Sequence, residues 1–260
     1  MRTFLICHEE EALNREALPR WLASFSDLGG ILVLRETRKQ KRRRIQREFA
    51  RIGPLRFMDV LAFRLHYKLF QSAADRAWRE KRLAELCQRF PEVPRDTPVL
   101  ISASANSAQA RDFIRSAAPD LMIARCKVIL KEEIFTIPRI GTFVMHPGIC
   151  PEYRNSHGCF WALANRDLER VGMTLLKIDC GVDTGPIFGH FHCAYDERRE
   201  SHIVIQERMV FDNLDILRQR LETIVEGRVV PVDVHGRTSA AWGQPWLTKY
   251  LAWKRAAGRS

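Results

Sequence analysis

The chain has 260 residues, 46% of them hydrophobic, and a formal charge of +11 at pH 7. That allows one large domain, or a domain with a small appendage, around an ample core. No run of about 18 apolar residues reads as a membrane span, and the opening MRTFLICHEEE meets acids too early for a signal peptide.

In chain order, residues 3–7 (TFLIC) form a short apolar run suited to a buried parallel strand. Residues 10–24 follow with helical spacing of Ala12, Leu13, Ala17, Leu18, Trp21 and Leu22. Residues 30–34 (GILVL) read as a second buried strand. This β-α-β opening predicts a parallel sheet with right-handed crossovers.

Residues 38–90 interrupt the alternation. Gly53-Pro54 is the one strong breaker before Pro91, so two helices are expected, roughly 39–51 and 57–89. Much of the positive charge lies at the start: Arg38, Lys39, Lys41, Arg42, Arg43, Arg44 and Arg47. It reads as a solvated basic face. Anionic substrate, nucleic acid or a membrane surface are the other readings. No RNP-like, zinc-finger or helix-turn-helix signature accompanies it, so no sequence-specific nucleic-acid partner is expected. Leu61, Leu65, Leu69 and Phe70 mark an apolar stripe. It is expected to pack on its own domain or on a second subunit as a homodimer, with peripheral membrane contact as the alternative.

Alternation then resumes. Residues 98–103 read as a strand, 108–118 as a helix, 121–124 as a buried strand and 131–135 as a short helix. Residues 141–145 (GTFVM) read as a strand running directly into His146. Active residues of open α/β sheets sit at the carboxyl ends of strands, which is where this places His146. Residues 161–165 read as helical, 172–178 as a strand and 201–226 as one long helix. The tail with Trp242, Trp246 and Trp253 is expected to wrap back onto the body. No internal repeat or flexible linker is evident. The division is an α/β domain over 1–200, with a helical insertion at about 38–90, and a mainly helical appendage over 201–260.

Two segments carry chemistry. His146-Pro147-Gly148-Ile149-Cys150-Pro151 puts a histidine on a proline-bounded loop. Gly181-Val182-Asp183-Thr184-Gly185-Pro186 puts an aspartate on a glycine-flanked turn. A titratable His–Asp pair on two constrained loops suits proton-coupled acyl chemistry. There is no GxGxxG after the first strand, where Cys7-His8-Glu9 stands, and no Walker A loop, so nucleotide-cofactor binding in the usual manner is not expected. His190-x-His192-Cys193 lacks an acidic partner, and no metal site is assigned. Ser102-Ala103-Ser104 lacks a nucleophile elbow. Seven cysteines, an odd number without a CxxC pair, read as reduced thiols of a cytoplasmic protein. Cys150 and Cys159 flank the site without a spacing to His that would stabilise a thiolate.

Five blocks occur in order: Pro119-Asp120-Leu121-Met122-Ile123, His146-Pro147-Gly148, Pro151-Glu152-Tyr153-Arg154, Gly172-Met173-Thr174 and Asp183-Thr184-Gly185-Pro186-Ile187. Residues 120–190 thereby resemble the formyltransferases that use 10-formyltetrahydrofolate. The likeness extends weakly to the first strand and to Gly243-Gln244-Pro245-Trp246-Leu247; residues 38–90 have no counterpart in it. The resemblance implies a Rossmann-like, mostly parallel sheet and attack of a primary amine on the formyl carbon of the folate. It implies that His146 assists proton movement and stabilises the oxyanion. Asp183 would orient His146 and favour its protonated form. The loop of Asp179, Cys180, Gly181 and Val182 would line the pterin pocket through its backbone.

One departure stands out. The family's Asn, two residues before the His, is Val144 here, and valine offers the oxyanion no donor. Asn155, which replaces the family's usual Gly after Tyr-Arg, is the expected substitute, with His157 next. Methionyl-tRNA members carry a further β-rich domain, and the residues after 200 read as helical and too few for it. A small-molecule amine such as an aminosugar or nucleotide is therefore the expected acceptor. A 10-formyltetrahydrofolate hydrolase releasing formate and a non-catalytic folate- or partner-binding homologue are the alternatives.

Overall fold

The computed structural model describes residues 1–259. Strand β1 (Arg2–His8) is buried along its apolar run. A single π turn (Leu13–Ala17) leads into helix α1 (Leu18–Ala23) and strand β2 (Asp27–Leu34). Helices α2 (Arg38–Phe70) and α3 (Ser72–Arg89) follow, then β3 (Val99–Ser102), α4 (Ala108–Ala117), β4 (Leu121–Arg125) and α5 (Glu132–Phe135). Strand β5 (Gly141–His146) is succeeded by the two-residue β6 (Arg154–Asn155), α6 (Gly158–Ala164), β7 (Met173–Lys177) and β8 (Ile187–Phe191). Helices α7 (His202–Phe211) and α8 (Leu214–Val225), the short β9 (Ala241–Trp242) and α9 (Leu247–Ala257) complete the chain.

The main sheet has the order β3-β2-β1-β4-β5-β7-β8. Its first five strands are parallel, while β7 and β8 run antiparallel to their neighbours. The parallel core read from the apolar runs is thus present, in the Rossmann-like form that the resemblance implies. Strand order reverses at β1, which makes the carboxyl ends of β1 and β4 the switch point of the sheet. Side chains alternate between faces. Leu5, Cys7, Phe143 and Met145 enter the larger core with α1, α6, α7 and α8; Phe4, Ile6, Met122 and Ala124 enter a smaller one with α4 and α5.

Several elements differ from expectation. The helix expected over 57–89 is two helices, broken at Gln71, whose side chain bonds the Tyr250 hydroxyl in the tail. No glycine or proline marks that break; it follows from packing. The break at Gly53 occurs as read: Gly53 adopts φ +76°, and Pro54, lacking an N–H, restarts the helix. The long helix expected over 201–226 is also two. The Asn213 amide donates to Met209 O at 2.9 Å, so a side chain competes with the helical ladder at that point. Strand β8 was not anticipated over its full length, and α6 begins at Gly158 rather than 161.

Of the surfaces expected to cover the α2 stripe, its own domain does not do so. Val60 and Phe63 face inward, Phe63 lying among Phe160, His202 and Tyr250, whereas Leu61, Leu65, Leu69 and Phe70 are exposed. The tail does wrap back: the Trp242 ring stacks between Tyr153, at 5.8 Å, and Trp161, at 4.8 Å.

Candidate functional site

His146 ends β5, directly opposite Thr174 of β7. The loop that follows turns tightly because two glycines meet there. A Cβ on Gly158 would lie 2.5 Å from Gly148 Cα, and one on Gly148 2.5 Å from Tyr153 O, so neither position has room for a side chain. Thr174 fixes the loop: its hydroxyl donates to Gly148 O at 2.7 Å and accepts from Cys150 N–H at 2.9 Å. The sequence contained Thr174 only as part of a pattern; its two bonds give it a function.

The His146 ring is held on both sides. Nε2–H donates to Tyr153 O at 2.8 Å, and Nδ1 lies 3.5 Å from Asp183 Oδ2. A carbonyl only accepts, so Nε2 carries a proton and Nδ1 is the position at which the ring gains or loses one. The imidazole is almost fully covered, and the Asp183 carboxylate only slightly less so. At this distance the pair is an ion pair when the ring is charged, with room for the geometry to tighten around a ligand.

Asp183 sits at φ +51° and Asn155 at φ +75°, both left-handed. The two are joined: Asn155 N–H donates to Asp183 Oδ2 at 2.8 Å. The Asn155 side-chain amide donates to Trp242 O, in the tail. Asn155 therefore reaches the His–Asp pair through its backbone, and its side-chain donor is engaged elsewhere. His157 lines a separate cavity. Arg154 straps the same parts together, donating to Val182 O at 2.8 Å and to Ser239 Oγ at 2.9 Å. The roles of Arg154, Trp242 and the Tyr153 carbonyl had no signal in sequence, because each acts through a backbone group or a distant segment.

Val144 lies on the same face of β5 as His146, half-buried between the smaller core and a cluster of Cys150, Leu176 and Ile187. The position two residues before the histidine packs against apolar side chains and brings no donor of its own. The loop at 179–182 is exposed. Asp179 shapes it from within, accepting from Gly181 N–H at 2.9 Å and from the Thr184 hydroxyl at 2.7 Å. The backbone amides of Cys180 and Val182 have no intramolecular partner among the described residues.

The cysteines beside the site are ordinary buried thiols. Burial, and then the Asp183 charge, push Cys150 up to about 12, and burial pushes Cys159 well up. Both imidazoles of the strand motif are engaged: His190 bonds Cys150 O at 2.9 Å and His192 bonds Val171 O at 3.0 Å. No cluster of three or more His, Cys, Asp or Glu suited to a metal occurs among the described residues.

Behind the loop lies a cavity of about 350 Å³ between α2, α6, α7 and the tail, lined by Phe63, Arg64, Tyr67, Arg79, His157 and His202 among others. The Nδ1 atoms of both histidines are buried without a partner. Burial lowers His157 to about 4 and pulls His202 well below its ordinary value.

A family model described as formyl transferase matches residues 72–221, which include β3 to β8, the His146–Asp183 pair and α3, part of the segment for which the sequence offered no counterpart. This chain belongs to the formyl transferase family. Methionyl-tRNA formyltransferase of Thermotoga maritima is 30% identical over 135 residues, 52% of this chain and 42% of the relative. The Clostridioides difficile enzyme of the same name is 27% identical over 174 residues, 66% of this chain and 55% of that one. The chain thus spans about half the length of these curated relatives. Among solved structures, phosphoribosylglycinamide formyltransferase of Anaplasma phagocytophilum superposes with a TM-score of 0.56 at 13% identity, covering 94% of this chain and 99% of that one. A sugar N-formyltransferase of a Shewanella species superposes with 0.55 at 14%, covering 98% and 88%. These likenesses establish that the formyl transferase fold extends to β1 and β2, outside the matched residues.

Proposed function

We propose that this chain transfers a formyl group from 10-formyltetrahydrofolate to the primary amine of a small molecule such as an aminosugar or a nucleotide. The observation that carries this reading is the 3.5 Å approach of His146 Nδ1 to Asp183 Oδ2, made by two separate loops of a formyl transferase fold. The amine attacks the formyl carbon, negative charge builds on the formyl oxygen, and the bond to N10 of the folate then breaks. The proton leaving the amine is taken up at Nδ1, since Nε2 is held by Tyr153 O, and is returned to N10 as its bond to the formyl carbon breaks. Asp183 steadies the imidazolium so formed. With Val144 supplying no donor, the positively charged ring is the main support for the oxyanion. Asn155 acts as a positioning residue that fixes Asp183 through its backbone N–H.

The donor fits the loop at 179–182. Its exposed, unpartnered amides at Cys180 and Val182 suit the edge of a pterin, and Asp179 holds the loop in shape. The acceptor class is carried over from the likeness to a sugar N-formyltransferase, which superposes on 98% of this chain.

The test is incubation of the purified protein with 10-formyltetrahydrofolate, with and without aminosugar nucleotides. Amine-dependent loss of the formyl group supports the proposal. Formate release that ignores the amine identifies a hydrolase, and binding without turnover identifies a non-catalytic homologue; either outcome overturns it. His146→Ala is expected to lower turnover by about 10²–10⁴-fold, and Val144→Asn to raise it.

A further inference from the structure

The positive charge of this protein is concentrated in one segment, the two helical stretches of α2 on either side of the Gly53 break. Residues 38–70 carry eleven basic and two acidic side chains, a net of +9 out of the chain's +11. Helix α2 spans those same residues. Lys41, Arg44 and Arg51 pair with Glu10, Glu36 and Glu48, but among the described residues Arg38, Lys39, Arg42, Arg43 and Arg47 have no carboxylate within ion-pair distance.

The second half of the helix adds an apolar face of the opposite orientation to its packed one. At about 100° per residue, Met58, Leu61, Leu65 and Leu69 share one side, directly opposite Val60 and Phe63, which hold the helix to the body. Met58 is 63% exposed, Leu65 58% and Leu69 65%, and Leu55 and Phe70 at either end reach 88% and 72%. The orientation is fixed rather than free to roll inward. Phe63 is wedged against Phe160, His202 and Tyr250, and Asp59 accepts from Thr248 N–H at 3.1 Å. Large aliphatic side chains held outward in a row beside a dense cationic segment mark an interaction surface.

We infer that α2 is a docking surface for a lipid bilayer with anionic headgroups. Arg38 to Arg47 contact the headgroups, and the stripe from Leu55 to Phe70 enters the headgroup–acyl boundary. Charge selects this occupant. A second copy of the chain would bring +9 against +9. Nucleic acid would satisfy the cations but offers no surface for an aliphatic row, since single strands are gripped by aromatic stacking and the Phe49 and Phe57 rings pack on each other. No helix is long and apolar enough to cross a membrane, so the contact is peripheral. It does not depend on the proposed formyl transfer.

The full chain tests this by flotation with vesicles of phosphatidylcholine alone or mixed with phosphatidylglycerol. Binding to the mixed vesicles only is expected. Each basic residue near an anionic surface strengthens binding about five-fold, so Arg42→Gln with Arg43→Gln and Arg47→Gln weakens it by about 100-fold. Leu65→Ser with Leu69→Ser, both exposed and outside the core, weakens it by about 10-fold or more with melting unchanged. Absence of binding to mixed vesicles at low salt overturns the inference. So does a stripe variant that floats like the unaltered protein, which leaves charge alone. A dimer that the same variant converts to monomer overturns it in favour of a second copy, and tight RNA binding insensitive to the stripe in favour of nucleic acid.

Discussion

Acid should weaken this fold through the two imidazoles of the inner cavity. Burial lowers His157 from 6.5 to about 4, with the Lys127 and Arg64 charges adding to the effect and Gln206 opposing it. His202 moves in the same direction. A folded value below the unfolded one means that the unfolded chain binds more protons below pH 6.5. Stability from this group is complete above that pH and drains away as pH falls toward 4. Between pH 6.5 and 5 the loss through His157 is at most about 2 kcal/mol, and the half-buried state of the ring reduces it to about 1 kcal/mol. Glu207, raised to about 7 mainly by burial, acts oppositely, so its neutral form favours the folded chain below pH 7. The two trends overlap in the unaltered protein and are separated by comparison with His157→Asn, a residue that tolerates the left-handed φ of +56° at this position. Urea unfolding at pH 7 and pH 5 is the assay. The stability gap between the two pH values should shrink in the variant by about 1 kcal/mol. An unchanged gap would refute a neutral buried His157.

Three further outcomes follow from the site. Asp183→Asn keeps an acceptor for Asn155 N–H but loses the charge beside His146, so turnover should fall by about 10²-fold or more with little change in melting temperature. Gly158→Ala forces a Cβ against Gly148 Cα and Tyr153 O; a loss of about 1–3 kcal/mol in urea unfolding, together with loss of activity, is expected. Trp242→Ala empties the gap between Tyr153 and Trp161, costing about 3 kcal/mol. Activity measured well below its unfolding transition should also drop, because the tail carbonyl that holds Asn155 shifts.

The His146–Asp183 pair was legible in sequence because both residues sit in short blocks whose prolines and glycines dictate the backbone. The parallel strands were legible because TFLIC and GILVL have no polar face to expose. Asn155 is expected to act through its side chain, yet it contacts Asp183 through its backbone N–H, and no residue pattern reveals which of a residue's own groups is used. The breaks at Gln71 and Asn213 depend on a tyrosine far along the chain and on a side-chain bond to a helix carbonyl; neither carries a breaker residue. The row of Leu61, Leu65 and Leu69 has helical spacing whether it faces the core or water. Its direction is decided by Val60 and Phe63, which look no more apolar in sequence than the row itself.

The parallel pairing of Arg154 and Asn155 with Ala241 and Trp242 gives this site an order of birth. Synthesis runs from the amino end, so His146 and Asp183 emerge while the strand that clamps their loop is still inside the ribosome. The nascent chain can complete its sheet from β1 to β8 and still lack the grip on Asn155 that steadies Asp183. The tail is in that sense a latch closed only after the sheet has been made.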